Sequence, residues 1–175
     1  MKKLLALAVV ILGFTAVSFG QLSNTATATA SAKILTALTI EKKVDLDFGT
    51  IGAKTTPTIA KINTAGLRTG STTDLIATGL GAAAEFEIKG DKGSLFSITY
   101  PSTDTNLSSG ASPAMKIHAS DWVSKIDGGA ETSLMTGSID ASGVTVLKVG
   151  ATLQVAASQP SGSYSGPFSV TVNYN

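Results

Sequence analysis

Residues 162–175 read Gly-Ser-Tyr-Ser-Gly-Pro-Phe-Ser-Val-Thr-Val-Asn-Tyr-Asn, and this stretch decides the fold prediction. Its large apolar and aromatic side chains all fall on even-numbered positions: Tyr164, Phe168, Val170, Val172 and Tyr174. Most of the odd positions carry serine, threonine or asparagine. This two-residue period is typical of a strand with one buried face. Because such a face must pack onto a second sheet, we expect an all-β fold.

Several other segments show the same alternation between turn residues. Phe86 and Ile88 alternate with charged side chains, and the turn at 90–93 leads to a second alternating run at 95–100, so we expect a hairpin here. The predicted strands are 26–39, 44–48, 58–62, 74–78, 83–89, 95–100, 115–123, 144–156 and 164–173. No segment after the amino terminus has helical apolar spacing. We therefore predict an immunoglobulin-like antiparallel β-sandwich, with a closed barrel as the alternative.

The amino terminus has the features of a secretory signal peptide over residues 1–20. A positive start is followed by an apolar run too short for a comfortable membrane span, and Ser18 and Gly20 suit a cleavage site. We expect cleavage before Gln21, with a later cut near Ala26 as the alternative. An uncleaved membrane anchor is disfavoured. The prediction is a single domain, residues 21–175, exported to the periplasm, the cell surface or the medium.

The charge balance excludes some classes of partner. The chain has 13 basic and 12 acidic side chains, and removal of Lys2 and Lys3 with the signal peptide leaves 11 basic ones. This balance gives no electrostatic reason to bind nucleic acid or an anionic membrane surface. The absence of cysteine is compatible with an oxidising compartment.

The residues that could perform chemistry are few. His118 is the only histidine and lies near Ser120 and Asp121, but no Gly-x-Ser-x-Gly motif marks a nucleophile. We predict an outward-facing strand histidine and no catalytic residues. Asp45 and Asp47 could approach a calcium ion, but no known calcium loop surrounds them.

We therefore expect no metal site and no cofactor. The glycine clusters at 49–55 and 79–84 are interpreted as turns, since neither has the context of a nucleotide-binding motif. Trp122, the only tryptophan, is expected to pack in the core, with an exposed ligand platform as the alternative.

Four blocks of sequence together resemble a known family. They are Ala-Thr-Ala-Ser-Ala-Lys-Ile-Leu-Thr-Ala-Leu-Thr-Ile at 28–40, Leu-Asp-Phe-Gly-Thr-Ile at 46–51, Val-Gly-Ala-Thr-Leu at 149–153, and the block at 162–174. The pattern resembles the secreted bacterial domain of unknown function numbered 4402. That resemblance implies export and a β domain, and no assigned activity.

A more distant resemblance is to chaperone–usher pilins, including the archaic spore-coat-like group. These proteins share an early Leu-Asp-Phe-Gly block, a glycine where Gly162 stands and a penultimate tyrosine where Tyr174 stands. In pilins the sandwich lacks its last strand, and the groove accepts the N-terminal extension of the next subunit by strand addition. This chain departs from the pilin pattern at Ile34, where a first cysteine would be expected, and in its small donor side chains.

The resemblance implies a non-enzymatic secreted or cell-surface structural or adhesive protein, a pilin-like subunit assembling by donor-strand exchange. Its partners would be further copies or other surface subunits, with a periplasmic chaperone. The predicted strand-exchange residues are Leu22, Ala26, Ala28, Ala30, Ala32, Gly162, Tyr164, Phe168, Val170, Val172 and Tyr174. The first five could instead belong to the first strand of a complete sandwich. The alternative function is a monomeric secreted β-sandwich that binds a carbohydrate or a protein through its loops.

Overall fold

The computed structural model describes residues 24–52, 54–70, 81–133 and 135–175. The predicted signal peptide, its cleavage site, Leu22 and the predicted strand at 74–78 lie outside these residues. The described strands are β1 (Thr39–Val44), β2 (Thr58–Ile62), β3 (Arg68–Gly70), β4 (Ala84–Lys89), β5 (Leu95–Thr99), β6 (Thr105–Leu107), β7 (Met115–Ile126), β8 (Thr136–Ser138), β9 (Val144–Val155) and β10 (Thr171–Tyr174).

These strands form two antiparallel sheets. The larger sheet has the order β1-β4-β9-β2-β3, with β7 also paired to β9 and β6 paired to β7. The smaller sheet has the order β10-β5-β8. The described residues contain no helix, and hence no helix long and apolar enough to cross a membrane. The predicted all-β antiparallel sandwich is confirmed.

The core lies between the inward faces of the two sheets. Burial alternates along β4 and β9, as the two-residue period predicts. The largest buried apolar side chains are Phe48, Ile62, Phe86, Ile88, Phe96, Ile98, Ile117, Trp122, Ile139, Leu147 and Leu153. Trp122 is 2% exposed, which confirms its predicted core position.

The long strand β9 runs without interruption across Gly150. Along one edge it pairs with β4 up to Val149 and with β2 from Ala151. A Cβ atom at Gly150 would overlap the backbone carbonyl of Ile62. The glycine therefore allows β9 to change partners along one edge without a break in the strand.

The predicted hairpin between 83–89 and 95–100 is wrong. β4 pairs with β1 and β9 in the larger sheet, whereas β5 pairs with β10 and β8 in the smaller one. The turn between them carries the chain from one sheet to the other. Both strands have an apolar face, and the two faces meet across the core instead of lying side by side in one sheet.

The predicted strand at 26–39 is also wrong over most of its length. Pairing of β1 with β4 begins at Thr39, and residues 24–37 are exposed and form no strand. The alanine, serine and threonine side chains of this segment have little apolar surface to bury. Leu38 and Ile40 are the first residues that pack against the core. The compact unit Ile34–Asn175 contains every described strand.

Candidate strand-acceptor groove

Residues 163–175 alternate strictly between exposed odd positions and half-buried even positions. Phe168 packs on the larger sheet, with its ring centroid 4.8 Å from that of Trp122 and 6.2 Å from that of Phe86. The predicted inward face is therefore confirmed. No member of the row from Tyr164 to Tyr174 is fully buried, so part of the apolar face still contacts solvent.

The backbone of the same segment has few partners. Ser165 forms an isolated bridge with Ser108, with N···O distances of 2.8 and 3.1 Å, and β10 pairs with β5. Within the described residues, β10 has no strand on its second side, and residues 166–170 belong to no ladder. An edge of this kind presents N–H and C=O groups to another strand.

Three cavities of about 260, 330 and 380 Å³ follow this segment. Each is lined by residues from 42–52 on one side and from 159–168 on the other, and all three share Tyr164. Strands β6, β7 and β9 contribute the apolar side chains Leu107, Met115, Ile117, Leu153 and Val155. We call these three cavities together the acceptor groove.

A buried amide holds Tyr164 in the groove. Gln159 is 4% exposed, and its Nε2 donates to the Tyr164 hydroxyl at 2.9 Å and to the carbonyl of Pro113. The Tyr164 hydroxyl in turn donates to the carbonyl of Pro160 at 2.9 Å. Because both groups are satisfied inside the fold, the Tyr164 end of the groove keeps a defined shape.

Tyr174 occupies the opposite end of the segment. Its hydroxyl donates to the carbonyl of Thr36 at 2.7 Å and accepts from the backbone N–H of Asp91 at 2.6 Å. A Cβ atom at Gly90 would lie 2.5 Å from that hydroxyl oxygen, so a larger residue there would displace the tyrosine side chain. Residues 36–48 and 164–174 therefore run antiparallel, with Thr36 opposite Tyr174 and Leu46 beside Tyr164.

The predicted strand-exchange residues fall into two groups. Gly162, Tyr164, Phe168, Val170, Val172 and Tyr174 lie along one segment of the unit Ile34–Asn175. Ala26, Ala28, Ala30 and Ala32 are exposed residues of the other compact unit, Met1–Lys33. Sequence reasoning missed Ile34, which shares the even parity of the alanines and is 93% exposed.

His118 lies on β7, and its partner is not one of its neighbours in the sequence. Its Nδ1 is 3.1 Å from Oδ2 of Asp104, and both side chains are exposed. The hydrogen bond from His118 holds the pKa of Asp104 below its usual value, against a smaller opposing effect of desolvation. Asp121 instead accepts a 3.0 Å hydrogen bond from Gln154. His118 and the aspartate nearest to it in sequence therefore have different partners.

Asp45 and Asp47 have separate local roles. Asp45 Oδ1 lies 2.6 Å from Lys42 Nζ in an exposed ion pair. Asp47 accepts a 2.7 Å hydrogen bond from the backbone N–H of Gly49, which has a positive φ of 67°. The interpretation of this glycine cluster as a turn therefore agrees with the structure at Gly49.

The family model described as "Domain of unknown function (DUF4402)" matches residues 38–174. The chain belongs to this family. The DUF4402 match begins one residue before β1 and ends with the last residue of β10, so it contains all the described strands and the acceptor groove. Ile34 and the alanine row precede it. A search of curated proteins and a search of solved structures found no match.

Proposed function

We propose that this chain is a non-enzymatic structural subunit of an exported surface assembly, which polymerises by strand addition. One copy would donate its N-terminal segment to the acceptor groove of the next. The observation that carries this proposal is the half-buried, largely unpaired segment 164–174 beside the apolar cavities. A periplasmic chaperone is a further expected partner, since an open groove needs a temporary occupant before assembly.

The groove has both of the features that strand addition requires. Backbone groups for hydrogen bonds come from residues 166–170, which belong to no ladder, and from the second side of β10, where the described part of the chain places no strand. The cavities along residues 159–168 supply space for alternate side chains of an added strand. Protein edges that are not meant to pair are normally covered, twisted away or charged.

Residues 24–34 are the proposed donor. They are exposed, and their even positions include Ala26, Ala28, Ala30 and Ala32. At about 3.3 Å per residue, the segment would span roughly 36 Å when extended, about the length of residues 164–174. Burial of apolar surface contributes about 0.8 kcal/mol per methylene, so alanines gain little from burial alone. Backbone hydrogen bonds would then contribute much of the affinity.

The test is the mass of the purified chain in solution, with and without a synthetic peptide of residues 21–35. We expect a ladder of SDS-resistant oligomers, and we expect added peptide to bind to the chain and shorten the ladder. A matched control peptide carries Ala28→Pro and Ala30→Pro, because proline cannot donate ladder hydrogen bonds. A sharp monomer that ignores both peptides would reject strand addition.

One observation favours the second candidate, a monomeric domain that binds a carbohydrate through its loops. A cleft of about 580 Å³ lies between residues 99–106 and 167–171. Its lining includes Asp104, Asn106 and several hydroxyl side chains, which are suitable partners for sugar hydroxyls. Glycan binding by a monomer, lost on Asp104→Ala, would support this function in place of assembly.

A further inference from the structure

Ile34 is an apolar side chain in an unusual position. It is 93% exposed, more than any other large hydrophobic side chain of the described residues. Its even number places it in the same row as Ala26 to Ala32, and Leu38 and Ile40 of that row pack against the core of their own copy. Two residues after Ile34, Thr36 is tied to Tyr174. Ile34 is therefore the last bulky member of the row before the segment joins its own fold.

The two ends of residues 164–174 differ. At the Tyr174 end, the carbonyl of the copy's own Thr36 already accepts the hydrogen bond of the tyrosine hydroxyl. At the Tyr164 end, the cavity of about 260 Å³ is lined by Ile51, Met115, Val155 and Gly162 as well as Tyr164. The Tyr164 end therefore has apolar space for an added side chain.

A donated segment stays joined to its own fold through Leu35 and Thr36. The end of the donated strand that carries Ile34 must therefore lie at the mouth of the groove. The folded part of the donating copy then fits outside the groove. The copy's own Thr36 already lies beside Tyr174, so the end of residues 164–174 that can receive a second unit is the one beside Tyr164. Successive copies then meet head to tail, a heterologous contact that forms open filaments and not closed dimers.

We propose that Ile34 of one copy occupies the cavity of about 260 Å³ lined by Ile51, Val155 and Tyr164 of the next, with the donated strand antiparallel to residues 164–174. This inference rests on the proposed function and adds to it the anchoring residue and the direction of the strand. The partner is a second copy of this chain. The alanines would then follow along residues 164–168, beside the other two cavities.

The first test is Ile34→Ser in the full chain, with Leu67→Ser as the matched control. Leu67 is a 64% exposed leucine in the turn between β2 and β3, away from the groove lining. We expect Ile34→Ser to weaken association between copies by roughly 10–100-fold, because an isoleucine side chain no longer leaves water. Sedimentation over a concentration series measures this change. Equal association of the two variants would overturn the anchoring role.

The second test uses the absence of native cysteine. Ile34→Cys chains are mixed with Ser161→Cys chains, whose new thiol lies at the Tyr164 end, or with Asn173→Cys chains, whose thiol lies at the opposite end. We expect a disulfide between different copies with Ser161→Cys and little with Asn173→Cys. Oligomers that form without the Ser161→Cys disulfide would overturn this inference and leave strand addition intact. Absence of oligomers from every mixture and from the unmodified chain would reject both.

Discussion

The hydroxyl of Tyr174 donates to the carbonyl of Thr36 across a distance of 2.7 Å, although 138 positions separate the two residues in the chain. The same oxygen accepts the N–H of Asp91, so one side chain ties the beginning of the fold and the turn after β4 to the end of β10. This contact lies at the opposite end of residues 164–174 from Tyr164, which lines the acceptor groove. It also explains why the tyrosine can lie on a half-buried face without leaving its hydroxyl unpaired.

Tyr174→Phe removes these two hydrogen bonds and keeps the ring. We expect a loss of about 1–2 kcal/mol in the free energy of unfolding, because Asp91 N–H loses a partner at a partly buried site. Urea unfolding measures the change. Ser169→Ala, at an exposed odd position of the same segment, is the control and should change stability by less than about 0.5 kcal/mol. An unchanged midpoint for Tyr174→Phe would show that the contact contributes nothing.

Phe168→Ala removes the ring that covers Trp122. We expect the free energy of unfolding to fall by about 3 kcal/mol or more, since the substitution removes a large aromatic ring that packs on the core. Trp122 is the only tryptophan, so its fluorescence in the folded variant should shift to the red as water approaches the indole. Phe168→Leu retains much of the volume and should show a smaller shift. Identical emission from all three proteins would contradict the packing of Phe168 on Trp122.

Gly150→Ala tests the close approach inside the larger sheet. Its Cβ would overlap the carbonyl of Ile62, which is backbone and cannot rotate away. We expect the free energy of unfolding to fall by about 1–3 kcal/mol, measured by thermal or urea unfolding. Gly128→Ala is the matched control, because no heavy atom lies within 4 Å of a Cβ built there. Equal stability of the two variants would show that the sheet yields at Gly150 without cost.

The lowered pKa of Glu131 predicts that the stability of the fold depends on pH. Desolvation raises its pKa, but hydrogen bonds from the backbone N–H of Thr64 at 2.6 Å and from its hydroxyl at 2.9 Å, with nearby lysines, leave the pKa below the usual 4.5. A carboxyl group whose pKa is lower in the folded state stabilises the fold above its unfolded pKa. That stabilisation disappears as the pH falls through the folded value.

Glu131→Gln removes this titration. We expect the variant to be less stable than the native chain at neutral pH, and the difference to narrow between about pH 5 and about pH 3. Urea unfolding over this pH range measures the difference. Glu41→Gln is a suitable control, because Glu41 has an exposed side chain and a lysine partner on the surface. A constant difference at all pH values would contradict the role assigned to the Thr64 hydrogen bonds.

The predictions from sequence succeeded and failed for identifiable reasons. The inward face of residues 164–174 and one long strand over most of residues 144–156 followed from local patterns, and the burial of Trp122 followed from its residue type. The hairpin between β4 and β5 was wrong, because two adjacent alternating segments can pair within one sheet or face each other across a core. Periodicity is the same in both cases.

The candidate site shows the same division. The even-numbered apolar row could be identified in the sequence, but the cavities beside it depend on residues 42–52, β6, β7 and β9, which are distant in the chain. The partner of His118 was missed for a similar reason, because Asp104 lies on the loop between β5 and β6. Ile34 was visible as an apolar residue, but its exposure could be known only from the fold.

The sequence by itself determined that the chain is all-β and which side chains turn inward in regularly alternating strands such as β4, because the two-residue period belongs to the extended backbone. Only the tertiary structure decided which strands pair, where pairing begins near Thr39, and that β10 lies at the edge of its sheet beside a groove. The physical reason is that backbone hydrogen bonds between strands look alike for every sequence. The choice among partners is made by packing between distant segments.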